Sequence, residues 1–313
     1  MRAAVFGALA LLIAGCAAAE PTPQPPASSA EATVPVVAAE PAGPVVPPPP
    51  EHLSLRCAGA FTQGGIALCR TLPGAAISVD GVASGEADSE GWAVVGFNRE
   101  HPATARVEAR VGASAVAQNF QIASREFDIQ RIDGLPPQTV TPTDPAVLAR
   151  IQREAALKAE GFASIAPLEG WLDGFIMPVE GRVSGRWGNQ RILNGVPKTP
   201  HFGYDIAAPT GTPILAPASG IVTLAQPDMH YEGGLVFIDH GQGLITMYLH
   251  MSRLDVAEGD HVEQGQVIGA VGARGRATGP HLCWRMKWRG RQLDPSVAVD
   301  GLAAARAALL TNP

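Results

Sequence analysis

The chain has 313 residues, enough for two modest domains with extensions, and its 46% hydrophobic and 17% charged content is that of a globular protein. Its 28 prolines and 35 glycines favour linkers and turns over long helices. A net charge of −6 excludes the basic footprint of a nucleic-acid-binding protein.

Arg2 followed by an apolar run over residues 3–14 is too short to span a bilayer and has the form of a signal peptide, expected over residues 1–15. The run ends in Ile13-Ala14-Gly15-Cys16, which resembles a bacterial lipobox, so Cys16 is expected to carry a diacylglycerol. Ala17 stands where an aspartate would signal inner-membrane retention in enteric-type sorting. The periplasmic face of the outer membrane is therefore the expected location, with the lipid as the membrane contact. Residues 16–50 are rich in Pro, Ala and Val and end in four consecutive prolines. They read as a polyproline II tether that reaches on the order of 100 Å when stretched.

Residues 51–135 hold short alternating runs (64–68, 76–79, 92–97 and 105–109) broken by turn signals such as Asp80-Gly81. This spacing predicts a small β-sandwich-like domain, a spacer or wall-binding module without a catalytic constellation. His52 and His101 are isolated and expected at its surface. An oxidising compartment favours a disulfide between Cys57 and Cys69, which lie close together in this region. Cys283 is then the thiol left over.

Residues 136–175 form a linker with a helix: Asp144 is the N-cap, Pro145 opens the first turn, and Val147, Leu148, Ile151, Ala155 and Leu157 recur at helical spacing up to about Gly161. From 176 to 300 the chain is Gly-rich and β-rich, with strands expected over 213–216, 220–224, 234–238, 244–250, 267–271 and 282–288. A tail helix within 301–313 is expected to cover an edge.

His201 and Asp205, with Gly203 between them, are read as extended and sharing one face, as are His281 and Cys283 two residues apart. All four residue types bind Zn²⁺. A hydrolytic site needs three protein ligands and an open position for water, which leaves one of the four for proton transfer. His250 ends the 244–250 strand and is expected to enter the same cleft from the face of Thr246 and Tyr248. His240 reads as part of a turn, and His230 and His261 flank charged residues and read as solvated.

From about Gly181 to Pro295 the chain resembles the lysostaphin-type (LytM-like) zinc metallopeptidases, a family of peptidoglycan hydrolases. It carries their H-x-x-x-D as His201-Phe202-Gly203-Tyr204-Asp205 and their Y-x-H as Tyr248-Leu249-His250. It also carries G-D-x-V-x-x-G-x-x-I-G from Gly259 to Gly269 and T-G-P-H-L-x-W from Thr278 to Trp284. The resemblance implies a mainly β fold with a C-terminal antiparallel β-roll on a lipoyl-like core. It also implies Zn²⁺ bound by His201 and Asp205, His281 as general base, and His250 orienting or stabilising the tetrahedral intermediate. The family's third ligand is the second histidine of an H-x-H pair, and here that position is Cys283. A thiolate is a good zinc ligand but brings a negative charge, so Cys283 is either the third ligand of a slower hydrolase or a buried, inert thiol beside Trp284.

Two functions follow from the resemblance. One is an endopeptidase cutting peptide cross-links of peptidoglycan, with the D-Ala–diaminopimelate bond expected in this compartment. The other is a non-catalytic module that binds and activates a cell-wall amidase. Trp284, Arg285, Trp288 and Arg289 are expected near the site, either lining a groove for a muropeptide carboxylate or, for a tryptophan, packing in the core.

Overall fold

The computed structural model describes residues 52–135 and 137–311. The expected signal peptide, the lipid site at Cys16, the tether and the last two residues of the tail lie outside the described residues.

The first strands are β1 (Arg56–Gly59), β2 (Ile66–Arg70), β3 (Ala76–Val79), β4 (Val82–Glu86), β5 (Trp92–Gly96), β6 (Thr104–Val111) and β7 (Ser114–Gln121). They make two antiparallel sheets, ordered β1-β2-β5 and β4-β3-β6-β7. β6 shows why the sequence folds this way: Ala105, Val107 and Ala109 point inward and the residues between them outward, the period of two of a strand. Cys57 and Cys69 face each other across β1 and β2 and are joined by a disulfide. His101 is not at the surface. It is buried, with Nε2 2.9 Å from Asp80 Oδ2 and Nδ1 3.0 Å from Pro102 O.

The chain then forms β8 (Ile129–Ile132), the single turn α1 (Pro137–Val140) and α2 (Pro145–Phe162). Asp144 caps α2 by accepting from the N–H groups of Ala146 and Val147. The buried side of α2 is not the apolar row read from its spacing, because Leu148 and Leu157 are exposed. Its buried positions are Glu154, which accepts from His230 N and Arg150 Nε, and Gly161, with Phe162 stacked near Phe237.

The remaining strands are β9 (Arg182–Gly185), β10 (Gln190–Leu193), β11 (Val196–Pro197), β12 (Tyr204–Ala207), β13 (Pro213–Leu215), β14 (Gly220–Met229), β15 (Gly233–Asp239), β16 (Leu244–Met251), β17 (Arg253–Leu254), β18 (His261–Val262), β19 (Val267–Ala270), β20 (His281–Trp288) and β21 (Arg291–Leu293), followed by α3 (Gly301–Thr311). Among the described residues the main sheet runs β18-β14-β15-β16-β20-β12-β9, with β21 on β20, and a smaller sheet is ordered β13-β19-β17. The mainly β architecture is as expected from the sequence. β8, from the end of the first β region, lies parallel to β10 in a third sheet, β11-β10-β8.

The main sheet is covered on both faces. On one, Val236, Ile238, Tyr248, Leu282, Trp284, Met286 and Trp288 join a core continuous with Val94 and Phe97 of the first sheets. On the other, Leu235, Phe237, Ile245, Met247, Leu249 and Cys283 cluster beneath Phe162. Gln242 ties the two β regions together: its Oε1 accepts from Val94 N and its Nε2 donates to Trp92 O. Arg125 Nη2 donates to the buried Asp294 at 2.9 Å across the same junction. α3 packs on β1 and β2.

Candidate active site

β12 and β20 pair antiparallel with Asp205 opposite Cys283 and Ala207 opposite His281. Residues directly opposite in a sheet project from the same face, so Asp205, Cys283 and His281 gather on one side. His201 reaches in from the loop before β12, where its N–H donates to Asn189 O and its carbonyl accepts from Gly188 N.

His201 Nε2 lies 3.2 Å from Asp205 Oδ1 and 3.5 Å from Cys283 Sγ, and the ligand atoms of the three buried residues lie within 4.8 Å of one another. His201 Nδ1 and Asp205 Oδ1 have no hydrogen-bond partner among the described residues, and the 3.2 Å approach of His201 Nε2 to Asp205 Oδ1 lacks hydrogen-bond geometry. Tetrahedral zinc with ligands at about 2.0–2.3 Å holds neighbouring donors about 3.3–3.6 Å apart. The donor set and its spacing fit Zn²⁺. Two glycines keep the space open. A Cβ on Gly203 would collide with Cys283 Sγ and stand 2.9 Å from His201 Nε2, and one on Gly185 would collide with Asp205 Oδ2.

Asp205 and Cys283 each have a guanidinium beside them. Arg191 Nη2 donates to Asp205 Oδ2 at 3.2 Å, while its Nε donates to Gln130 Oε1 at 3.3 Å. Arg285 Nε donates to Cys283 Sγ at 3.4 Å. Burial works to raise the Asp205 pKa, but His201, His281 and Arg191 outweigh it and hold the carboxyl well below its usual range. Burial, with the Asp205 charge, pushes the Cys283 thiol up to about 12 against the pull of Arg285. A metal at the site is what would ionise it.

His281 Nδ1 donates to Gly279 O at 2.8 Å. A carbonyl only accepts, so the neutral ring keeps its lone pair on Nε2, which sits 3.9 Å from Asp205 Oδ1. His250 Nδ1 likewise donates to Arg274 O at 2.8 Å, and its ring centroid is 4.7 Å from that of His281. Burial, helped by neighbouring His281, drives the His250 pKa down to about 3, so the ring is neutral and its Nε2 is an acceptor.

The path of His250 into the cleft differs from the one read from the sequence. Leu249 is opposite Cys283, so the face of Thr246 and Tyr248 points away from the site. His250 arrives through a bulge in the β15–β16 pairing and a left-handed backbone with φ 67°. Thr246 and Tyr248 instead form a buried relay with His240, which opens a turn, as expected, but is fully buried. His240 Nδ1 donates to Ser219 O, its Nε2 accepts from Thr246 Oγ1, and Tyr248 donates to that oxygen.

Trp284 and Trp288 line no groove, since both are fully buried in the core on the far face. Arg289 donates to Gln242 O away from the site, and of this group Arg285 alone reaches the ligands.

His201, Asp205, His250 and His281 open on a cleft of about 270 Å³ whose further walls include Arg182, Arg191, Arg276 and, from the end of the first β region, Gln130 and Ile132. These wall residues carry no local sequence signal. Gln130 and Ile132 reach the cleft only through the nonlocal parallel pairing of β8 with β10.

Known proteins share this fold. The profile described as Peptidase family M23 matches residues 199–295. A crystal structure of a candidate M23 peptidase from Pseudomonas aeruginosa aligns with a TM-score of 0.59 and 31% identity, covering 77% of this chain and 96% of that one. The chain belongs to peptidase family M23. Its M23 domain is 40% identical over 117 residues to the peptidoglycan DD-endopeptidase ShyA of Vibrio cholerae, covering 37% of this chain and 27% of that protein. It is 45% identical over 100 residues to the DD-carboxypeptidase/endopeptidase Mpg of Neisseria meningitidis, covering 32% and 23%. The chain thus spans about a quarter of the length of these curated relatives.

Proposed function

We propose that the protein is a zinc metalloendopeptidase that hydrolyses peptide cross-links of peptidoglycan, held at the periplasmic face of the outer membrane by a lipid on Cys16. The observation that carries this reading is the convergence of His201, Asp205 and Cys283 on one point, with His250 and His281 on the same cleft. Membership of family M23 and the DD-endopeptidase names of its relatives support the substrate class. The D-Ala–diaminopimelate cross-link is the bond proposed.

Zn²⁺ held by the three donors supplies Lewis acidity, polarising a peptide carbonyl and acidifying water. His281 takes up the proton on Nε2 and, as imidazolium, hands it to the leaving amine while Gly279 O keeps the ring oriented. Neutral His250 accepts at Nε2 and orients the attacking water. Arg182 and Arg276, on the cleft wall, place positive charge where a muropeptide presents free carboxylates.

The test is digestion of purified sacculi by the full chain, with products identified by mass spectrometry. The expected result is conversion of cross-linked dimers into monomers ending in D-Ala. Dimers left intact, or glycan strands freed of peptide, would contradict the reading.

A further inference from the structure

We infer that Arg285 is the charge partner of Cys283, a positioning residue whose N–H···S bond offsets the negative charge a thiolate brings to the metal site. The inference rests on Cys283 being a metal ligand, as proposed above.

Three observations carry it. First, β20 places His281, Cys283, Arg285 and Lys287 on one face, so the guanidinium is delivered to the sulfur by the same strand that delivers the ligand. Its Nε donates to Sγ at 3.4 Å. Second, two other charged side chains of the same groove each have a partner of their own. Glu232, which shares with Arg285 the groove beneath α2, is taken by Lys158, and Lys287 sits over the Phe162 ring at 3.8 Å. Third, the arrangement is paired: Arg191 bonds the carboxylate donor through Oδ2 as Arg285 bonds the sulfur.

The chemistry gives this pairing a purpose. With a neutral third donor, a divalent ion bound by one carboxylate keeps one positive charge. A thiolate cancels that charge and donates more strongly, which makes the ion a weaker Lewis acid. A guanidinium bonded to the sulfur restores one positive charge next to it and draws electron density off the thiolate. The metal regains electrophilicity without a change of ligand, as outer partners tune first ligands elsewhere. The same bond holds Sγ on the side facing His201.

Replacing zinc with cobalt(II) gives the sulfur–metal bond a near-ultraviolet charge-transfer band that can be read without turnover. The wild-type cobalt form is expected to show it. Arg285→Gln should shift the band to longer wavelength and lower kcat by about 10-fold or more with KM little changed. Arg285→Lys, which keeps the charge and guards against a folding defect, should fall between. In a Cys283→His background, Arg285→Gln should change kcat by less than about twofold, because no sulfur remains to be balanced. An unshifted band in Arg285→Gln, or an equal loss of kcat in both backgrounds, would make Arg285 a structural residue and overturn the inference alone. A wild-type protein that binds cobalt with no sulfur band would remove Cys283 as a ligand, and the inference with it.

Discussion

His250 and His281 face each other with ring centroids 4.7 Å apart, although strand alternation assigns them to opposite faces of the main sheet. Leu249 shares the Cys283 face by direct pairing, so His250 is one residue out of phase. The bulge and the φ of 67° turn it back. A non-glycine residue held there costs roughly 1–3 kcal/mol, strain of the kind that persists at functional sites. Asparagine tolerates this conformation and β-branched residues do not. His250→Asn should therefore stay within about 1 kcal/mol of wild type in urea unfolding, while His250→Val should lose about 2 kcal/mol or more. Both should lose muropeptide release by about 100-fold. Equal stabilities for the two variants would mean that the backbone turn carries no strain.

Gly203 separates the proposed metal site from the fold. Its backbone φ is not in the left-handed region, and the nearest atoms an added methyl meets are the Cys283 sulfur and the His201 imidazole. Gly203→Ala should weaken zinc binding by about 10-fold or more, the scale of a displaced ligand geometry. Its unfolding free energy should stay within about 1 kcal/mol of the wild-type apoprotein. Zinc titration of the two proteins checks this. Unchanged affinity would show that the cluster does not need the gap.

The buried relay through His240 predicts a pH dependence. Burial pushes its pKa down to about 4, whereas the unfolded ring titrates near 6.5. The folded state prefers the neutral ring, so its contribution is complete above the unfolded value and is lost as pH falls from about 6.5 to 4. The loss is on the order of 3 kcal/mol. Urea unfolding of wild type and His240→Gln at pH 7, 5.5 and 4 should show a steeper decline for wild type. Parallel profiles would contradict the assignment.

At the junction of the two β regions, Asp294 accepts from Arg125 Nη2, Ser296 N and Ser296 Oγ while almost fully buried. Removing the carboxylate leaves a partly buried guanidinium without its counter-charge and a turn uncapped. Asp294→Ala should lower the unfolding free energy by about 3 kcal/mol or more. A change below about 1 kcal/mol in calorimetry or urea titration would show that the junction is held by apolar contact alone.

The cluster of His201, Asp205, His281 and Cys283 is legible in the sequence because its parts are local: an H-x-x-x-D segment, and two residues of β20 that an even spacing places on one face. Period-two reasoning also separates Trp284 and Trp288 from Cys283, since they occupy the alternate face, yet their chemistry suggested a groove. The position of His250 could not be read in this way, because a histidine gives no sign of a left-handed residue in a bulge. The cleft wall was equally hidden. Gln130 and Ile132 end a run that reads as part of the first β region, and only pairing with β10, some sixty residues later, brings them to the site. His101 looked like a surface residue, and the burial of His240 within its turn went unread, because sequence neighbours do not show burial.

The metal content of the purified full chain, alone and with Cys283 replaced, tests the site most directly. One zinc per chain is expected for wild type, loss of that zinc in Cys283→Ala, and retention in Cys283→His. A wild-type protein that is metal-free and inactive, and that gains both zinc and muropeptide release only with histidine at this position, would contradict the reading of Cys283 as a working ligand.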